Sequence, residues 1–178
     1  MSTILVTGCA GFISSHLCDQ LIELGHTVIG IDNLSTGFKE NLNPKVNFYH
    51  QSINNDMASI FEQYRPKYVF NLAAAIDLRY SVKNPRENAY TNIDGSLNLI
   101  EQSVKYKVKK FIFASTGGAI YSPASQLPWT EGSFANPASP YGLSKLTFER
   151  YLDIMKTLHG LDWVALRLGN VYGPKQHS

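Results

Sequence analysis

One junction near the start of the chain constrains the fold more than any other. Ile4–Val6 is a short apolar run, and Phe12 to Leu24 carries apolar residues at helical spacing (Phe12, Ile13, Leu17, Leu21, Ile22) until Gly25 stops it. Between them lie Thr7-Gly8-Cys9-Ala10-Gly11, so a strand hands over to a helix through one short turn with two glycines. The alternation then repeats. Thr27–Ile31, Val46–Tyr49, Tyr68–Leu72, Lys110–Ala114 and Trp163–Leu168 read as strands, being short, apolar and rich in β-branched or aromatic residues. Met57–Tyr64, closed by Pro66, then Asn88–Tyr106 and Tyr141–Leu158 read as helices. Leu34 to Pro44, rich in Asn, Ser, Gly and Pro, reads as a loop. Strands alternating with helices predict an α/β domain built on a parallel, doubly wound sheet. No repeat or linker divides the 178 residues, so one domain is expected over 1–178.

The turn after the first strand has a chemistry of its own. Gly8 can take the tight turn, and Gly11 lets the backbone approach a pyrophosphate placed at the positive N-terminus of the helix. Asp32 follows 21 residues after Gly11, at the end of the second strand. A carboxylate there can accept hydrogen bonds from a ribose 2′-hydroxyl and repels a 2′-phosphate, which points to NAD rather than NADP. Glycines alone would serve equally for a turn that only needs positive φ; the pair, its context and the placed Asp together favour a dinucleotide. Ser14 stands where a third glycine commonly allows close helix–strand packing, so it must fit a tight contact there or push the helix out slightly.

A second constellation sits far along the chain. Gly117 to Pro140 holds four prolines and three glycines and reads as a long loop, which in a compact domain is usually functional. Tyr141 and Lys145 follow it, four residues apart and so on one helix face. A phenol has a reference pKa of about 10, and a cation a few ångströms away lowers it. Lys145 is expected to do this and to make Tyr141 a base able to take a hydroxyl proton. By itself the pair could equally be a surface Tyr and Lys.

Composition removes other classes. A net charge of +2 gives no drive toward nucleic acid or an acidic membrane. Two cysteines, Cys9 and Cys18, make no disulfide framework and fit a reducing compartment. No apolar run is long enough to span a bilayer, and the N-terminus lacks a basic region before its short apolar run, so a cytoplasmic protein is expected. His16, His26, His50, His159 and His177 show no metal-ligand spacing, and no metal is expected.

Taken in order, these segments resemble the extended short-chain dehydrogenase/reductase family, most of all its UDP-glucose 4-epimerase branch. Thr7 to His16 resembles the family's first turn, which places Phe12 and Ile13 with Gly8 and Gly11 at the cofactor. Asp32-Asn33-Leu34-Ser35-Thr36-Gly37 is similar to its adenosine-ribose loop. Asn71-Leu72-Ala73-Ala74-Ala75 resembles its strand-four turn, and Asn92-Ile-Asp-Gly-Ser-Leu-Asn98 the helix whose Asn supports the cofactor. Ser115-Thr116, Ser139-Pro-Tyr-Gly-Leu-Ser-Lys145 and Leu166-Arg-Leu-Gly-Asn170-Val-Tyr-Gly-Pro174 are similar to its Ser/Thr segment, catalytic helix and strand-six exit. The resemblance implies a Rossmann fold with NAD held by Gly8, Gly11, Phe12, Ile13, Asp32, Asn33, Leu34, Ser35, Thr36, Gly37, Ser52, Ile53, Leu72, Ala73, Ala74, Asn92, Tyr141 and Lys145. It implies Tyr141 as base, Thr116 as the hydroxyl that relays the substrate proton, Lys145 on the nicotinamide ribose and Asn170 on the substrate. The implied reaction oxidises C4 of a UDP-hexose to a ketone, turns the ketone over and reduces it on the other face. A homodimer is implied through Asn88–Tyr106 and Tyr141–Leu158, with Tyr90, Leu99, Phe148, Tyr151 and Met155 as apolar residues beyond one core stripe.

The chain departs from the family at Ser14, at Ser52 in place of an adenine-binding Asp, at Asn71 in place of His, and at Ser122 in place of Gly. It is also expected to stop after the sixth strand, without the family's smaller substrate domain. A dehydratase or decarboxylase of the same family is the alternative enzyme, but these carry an acid just after the Thr, where this chain has Gly117-Gly118-Ala119. An NAD-holding fragment without turnover is the alternative of a different class.

Overall fold

The structure, a computed structural model, describes residues 1–122, 124 and 126–176. Pro123 and Ser125 of the long loop, and His177, lie outside them. Six strands form one sheet: β1 Thr3–Thr7, β2 Thr27–Asp32, β3 Asn47–His50, β4 Tyr68–Asn71, β5 Lys110–Thr116 and β6 Trp163–Leu168. Their order is β3-β2-β1-β4-β5-β6 and every pairing is parallel. The direction of winding reverses between β1 and β4, where a crevice opens beyond the strand ends. Boundaries differ from the expected ones by one or two residues, the usual play at element ends.

Alternation along the strands builds two cores. Leu5, Ile29, Ile31, Phe111 and Phe113 face one side, against Phe61 of α2 (Ala58–Tyr64), Leu99 and Ile100 of α5 (Gly95–Lys105), and Phe148 and Leu152 of α6 (Pro140–His159). Ile4, Val6 and Val28 face the other side, against Cys18 and Leu21 of α1 (Phe12–Glu23). Beyond α1 this second face is thinly covered: Val164 and Leu166 of β6 are exposed. Leu99 and Phe148, expected to lie on an outer face, are fully buried in the first core, and Tyr151 and Met155 pack against it. Of the five, Tyr90 is exposed.

The expected single helix Asn88–Tyr106 is three segments: α4 (Pro85–Ala89), a π-helical turn Tyr90–Asp94, and α5. The wider turn swings Asn92 inward. Its Oδ1 accepts from Ala75 N at 2.8 Å, and its Nδ2 donates to Ala75 O at 3.2 Å and to Ser144 Oγ at 3.1 Å. One further helix, α3 (Leu78–Lys83), occupies a stretch to which the sequence reading assigns no element, capped by Asp77, whose Oδ1 accepts from Tyr80 N at 2.8 Å. The last helix is bounded by textual signals of the ordinary kind: Ser139 caps it by accepting from Gly142 N at 3.1 Å, Pro140 opens it, and Gly160 ends it at φ 71°.

Candidate active site

A cavity of about 1020 Å³ opens at the carboxyl ends of β1, β2, β4 and β5, beside the β1/β4 switch point. Its floor is the first turn. Gly8 sits at φ 69°, and a Cβ there would stand 3.0 Å from the Ala73 backbone. Gly11 has ordinary φ, but a Cβ would meet Gly8 O at 3.0 Å, so the first glycine is needed for its backbone angle and the second for space. Gly11 also starts α1 with no side-chain cap, which leaves the amides of the first turn for a ligand. Ser14 is 4% exposed at the cavity edge. Another tight place lies at Gly30, where a Cβ would sit 2.7 Å from Cys9 Sγ and 2.5 Å from Val46.

Asp32 is 7% exposed, and its carboxylate is gripped from both sides. Oδ2 accepts from Ala10 N at 2.9 Å and Oδ1 from Leu34 N at 2.7 Å. A carboxylate has about four acceptor sites, so capacity remains for a pair of ribose hydroxyls. Gly37 folds the following loop onto it, where a Cβ would come within 3.0 Å of Oδ2. Glycine space, uncapped amides and a fixed carboxylate together form a cradle whose size and donor set fit a dinucleotide.

Phe12, Ile13, Asn33, Ser35, Thr36, Ser52, Ile53, Leu72, Ala73 and Ala74 line this cavity with those residues, and so do Thr116, Tyr141, Lys145 and Asn170. Leu34 and Asn92 do not. Leu34 contributes its amide to Asp32, and Asn92 stands behind the wall, tying the β4 exit to α6. Gln51, Ile76, Asp77, Tyr80 and Thr91 also line the cavity and were not anticipated.

At the far end, Tyr141 and Lys145 rise from the first two turns of α6 toward the end of β5. Thr116 stands beside the Tyr141 phenol and favours its ionised form. Thr116 Oγ1 also accepts from Gly118 N at 3.3 Å and Ala119 N at 3.2 Å, which fixes its orientation. Lys145 is 3% exposed; its Nζ donates to Ala114 O at 2.8 Å and lies 4.7 Å from the Phe113 ring centre. The electrostatics correct one expectation. Burial raises the Tyr141 pKa above its usual value, opposed by Thr116, and Lys145 is not what pulls it down. Burial pushes Lys145 itself down to about 7, so near neutrality its own charge is only partly present.

A buried network backs the site. Glu149, one turn beyond Lys145, accepts from Ser115 Oγ at 2.6 Å and from Arg167 Nε and Nη2 at 3.1 and 2.7 Å. Arg167 Nη1 donates to Tyr121 OH at 2.7 Å and Glu131 O at 3.2 Å. Four segments are thus joined: β5 next to Thr116, α6, β6 three residues before Asn170, and the long loop.

The profile of the NAD dependent epimerase/dehydratase family matches residues 4–178. The UDP-glucose 4-epimerase of Mycolicibacterium smegmatis is 38% identical over 178 residues, covering 97% of this chain and 57% of that protein. The crystal structure of a Thermotoga maritima UDP-glucose 4-epimerase with UDP-glucose is 52% identical with a TM-score of 0.97, over 98% of this chain and 58% of that one. A Thermus thermophilus UDP-glucose 4-epimerase in complex with NAD is 41% identical with a TM-score of 0.93, over 98% and 57%. The chain therefore spans a little over half the length of these relatives.

Proposed function

Since the chain belongs to the NAD dependent epimerase/dehydratase family, we propose that it binds NAD in the β1/β4 cavity and serves epimerisation of a nucleotide sugar at C4, of the UDP-glucose/UDP-galactose type. The observation that carries this reading is convergence: Thr116, Tyr141 and Lys145 open into the same cavity as Asp32 and the glycine turn. In this reading the α1 amides and Gly11 hold the pyrophosphate, and Asp32 takes the adenosine ribose and selects NAD over NADP. Asn33 to Gly37, Ser52 and Ile53 enclose the adenosine end; Leu72, Ala73 and Ala74 border the middle; Asn92 supports that wall from behind. Lys145 has two ammonium hydrogens beyond the one on Ala114 O, enough for the nicotinamide ribose.

Bound NAD supplies a reversible two-electron acceptor and a positive ring. Tyr141 takes the proton of the sugar hydroxyl, directly or through Thr116, and later returns it. The backbone amides on Thr116 Oγ1 steady that hydroxyl while its proton moves. Asn170, exposed at the β6 exit, contacts the substrate. Epimerisation is favoured over elimination because Gly117-Gly118-Ala119 bring no acid beside Thr116.

No helix among the described residues is long and apolar enough to cross a membrane, and a cytoplasmic enzyme is the reading we adopt. Self-association is proposed largely on different residues from those expected: Leu143, Ile154 and Leu158 are exposed along one stripe of α6, and Tyr90 is exposed on the π-helical turn. Light scattering of the parent and a Leu143→Lys/Leu158→Lys variant tests it; a parent that stays monomeric at high concentration counts against it.

The test of the chemistry is Tyr141→Phe. Loss of the phenolic oxygen should cut cofactor reduction by a UDP-sugar by about 100-fold or more in whatever form of the protein shows it, with NAD affinity nearly unchanged because the ring still packs. A variant that reduces NAD at the parental rate removes Tyr141 from the role of base.

A further inference from the structure

Beyond β6 the chain does not leave the surface. Residues 169–176 turn back over the start of α1, and three consecutive residues each meet a partner on one face of that helix. Gly173 lies on the Phe12 ring, where a Cβ would stand 3.5 Å from Cζ. Pro174 O accepts from His16 Nε2 at 2.9 Å; a carbonyl can only accept, so that nitrogen carries the hydrogen. Lys175 Nζ donates to Asp19 Oδ2 at 2.7 Å, with both side chains 30% exposed. Phe12, His16 and Asp19 are spaced four and three residues apart, the spacing of one helix face. The latch is braced: the Phe12 and His16 rings meet edge to face at 5.8 Å, and Asn43 Nδ2 donates to the other Asp19 oxygen at 2.8 Å.

The same segment walls the cavity. Gly169, Asn170, Val171 and Gln176 line it across from Gly11 and Phe12 of the phosphate-binding turn, while His16, Asp19 and Lys175 do not touch it. A ligand lying along that turn would lie against residues 169–176.

We propose that residues 169–176 form a strap over the cofactor cavity, latched to α1 by His16 and the Asp19–Lys175 pair, and that these three are positioning residues that set how fast NAD enters and leaves. The strap also holds Asn170 at the cavity. The proposal rests on the reading of this cavity as the NAD site. It requires that breaking the latch act on both directions of exchange, since a strap that lifts more often admits the cofactor as readily as it frees it.

The experiment uses the 178-residue chain and NADH as probe. Equilibrium fluorescence titration gives affinity, and stopped-flow mixing and chase with excess NAD give the association and release rates. Lys175→Met and Asp19→Asn are each expected to speed both rates about fivefold, the worth of one half-buried ion pair, with little change in Kd. The exchanged pair Asp19→Lys/Lys175→Asp is expected to restore slow exchange, which a variant that merely loosens the fold would not do. His16→Gln, which keeps a donor for Pro174 O, is expected to exchange more slowly than His16→Ala. Unchanged rates in Lys175→Met overturn the strap, as does weaker binding through faster release alone, which makes the segment an ordinary contact. If the parent chain binds no NADH in the titration, the cofactor reading fails first and the strap with it.

Discussion

Lys145 shows what a candidate functional side chain costs at the scale of one residue. Its ammonium sits in the domain interior with Ala114 O as its hydrogen-bond partner and the Phe113 ring beneath it, and burial depresses its pKa to about 7. Between that value and the usual lysine pKa of about 10.4, the unfolded chain holds a proton that the folded chain has released. Stability contributed through this group therefore rises with pH across the window; below it both states are protonated and the whole penalty of burying the charge is felt. Lys145→Met keeps length and packing without the charge. The variant should melt at a higher temperature than the parent at pH 7, with the gap narrowing by pH 9. Thermal melts of both proteins at the two pH values check this, and the parent–variant difference cancels the other titrating groups. Burial pushes Cys9 and Cys18 up, Cys18 to about 12, so they oppose stability only at higher pH. An identical pH slope in parent and variant would mean that Lys145 is solvated in solution. For Tyr141, whose pKa is raised, the basic form grows with pH, so the rate of proton abstraction should climb on the alkaline side until that phenol has titrated.

At the scale of elements, the site holds together through contacts distant in sequence. Glu149 and Arg167 join α6 to β6 with the carboxylate side chain 8% and the guanidinium 20% exposed. Removing one partner of a buried pair leaves the other charge uncompensated, a loss of about 3–5 kcal/mol, and the partial exposure of Arg167 points to the lower end. Arg167→Met should cost about 3 kcal/mol in urea unfolding, whereas Glu149→Leu/Arg167→Met should cost less than the two single changes added together. A single-variant loss no larger than that of an ordinary surface pair would show that the network is incidental. This network also explains what could be read beforehand. The β1 turn, α1 and Asp32 were legible because their signals are local: periodicity, two glycines and one carboxylate at a set distance. α3 was not, because Leu78, Tyr80 and Val82 are exposed and leave no apolar stripe. The π turn was hidden since Asn92 turns inward for Ala75 and Ser144, residues 17 and 52 positions away. Leu99 and Phe148 look surplus to one helical stripe until the second core-facing direction is known. Gly142 reads as filler between Tyr141 and Lys145, yet a Cβ there would collide with the Ala119 carbonyl, so it sets how closely the long loop approaches α6.

The whole molecule separates holding a cofactor from turning over a substrate. The groups assigned to NAD lie between Gly8 and Lys145, most of them buried or half-buried, at a cavity large enough for a dinucleotide. The groups assigned to the sugar nucleotide are fewer and lie at the open side: Thr116 and Tyr141 half-buried, Asn170 exposed, and Tyr172 beside it 89% exposed. Catalysis of this kind requires the reacting carbon to be held about 3 Å from its partners and water to be kept off the ketone. Three side chains at a wet rim do neither, and the chain spans only 57% of its Mycolicibacterium relative. The 178-residue chain should therefore bind NAD but convert UDP-galactose to UDP-glucose far below the usual enzyme range of about 1–10³ per second. Calorimetry with NAD and a coupled assay for UDP-glucose on the same preparation read the two halves separately. Lys175 touches neither half of the site directly, so Lys175→Met should alter cofactor exchange without creating turnover. A rate within the enzyme range from this chain would show that the residues between Gly8 and Asn170 fix the sugar on their own, and that the apolar rim of Leu166, Val171 and Tyr172 grips substrate.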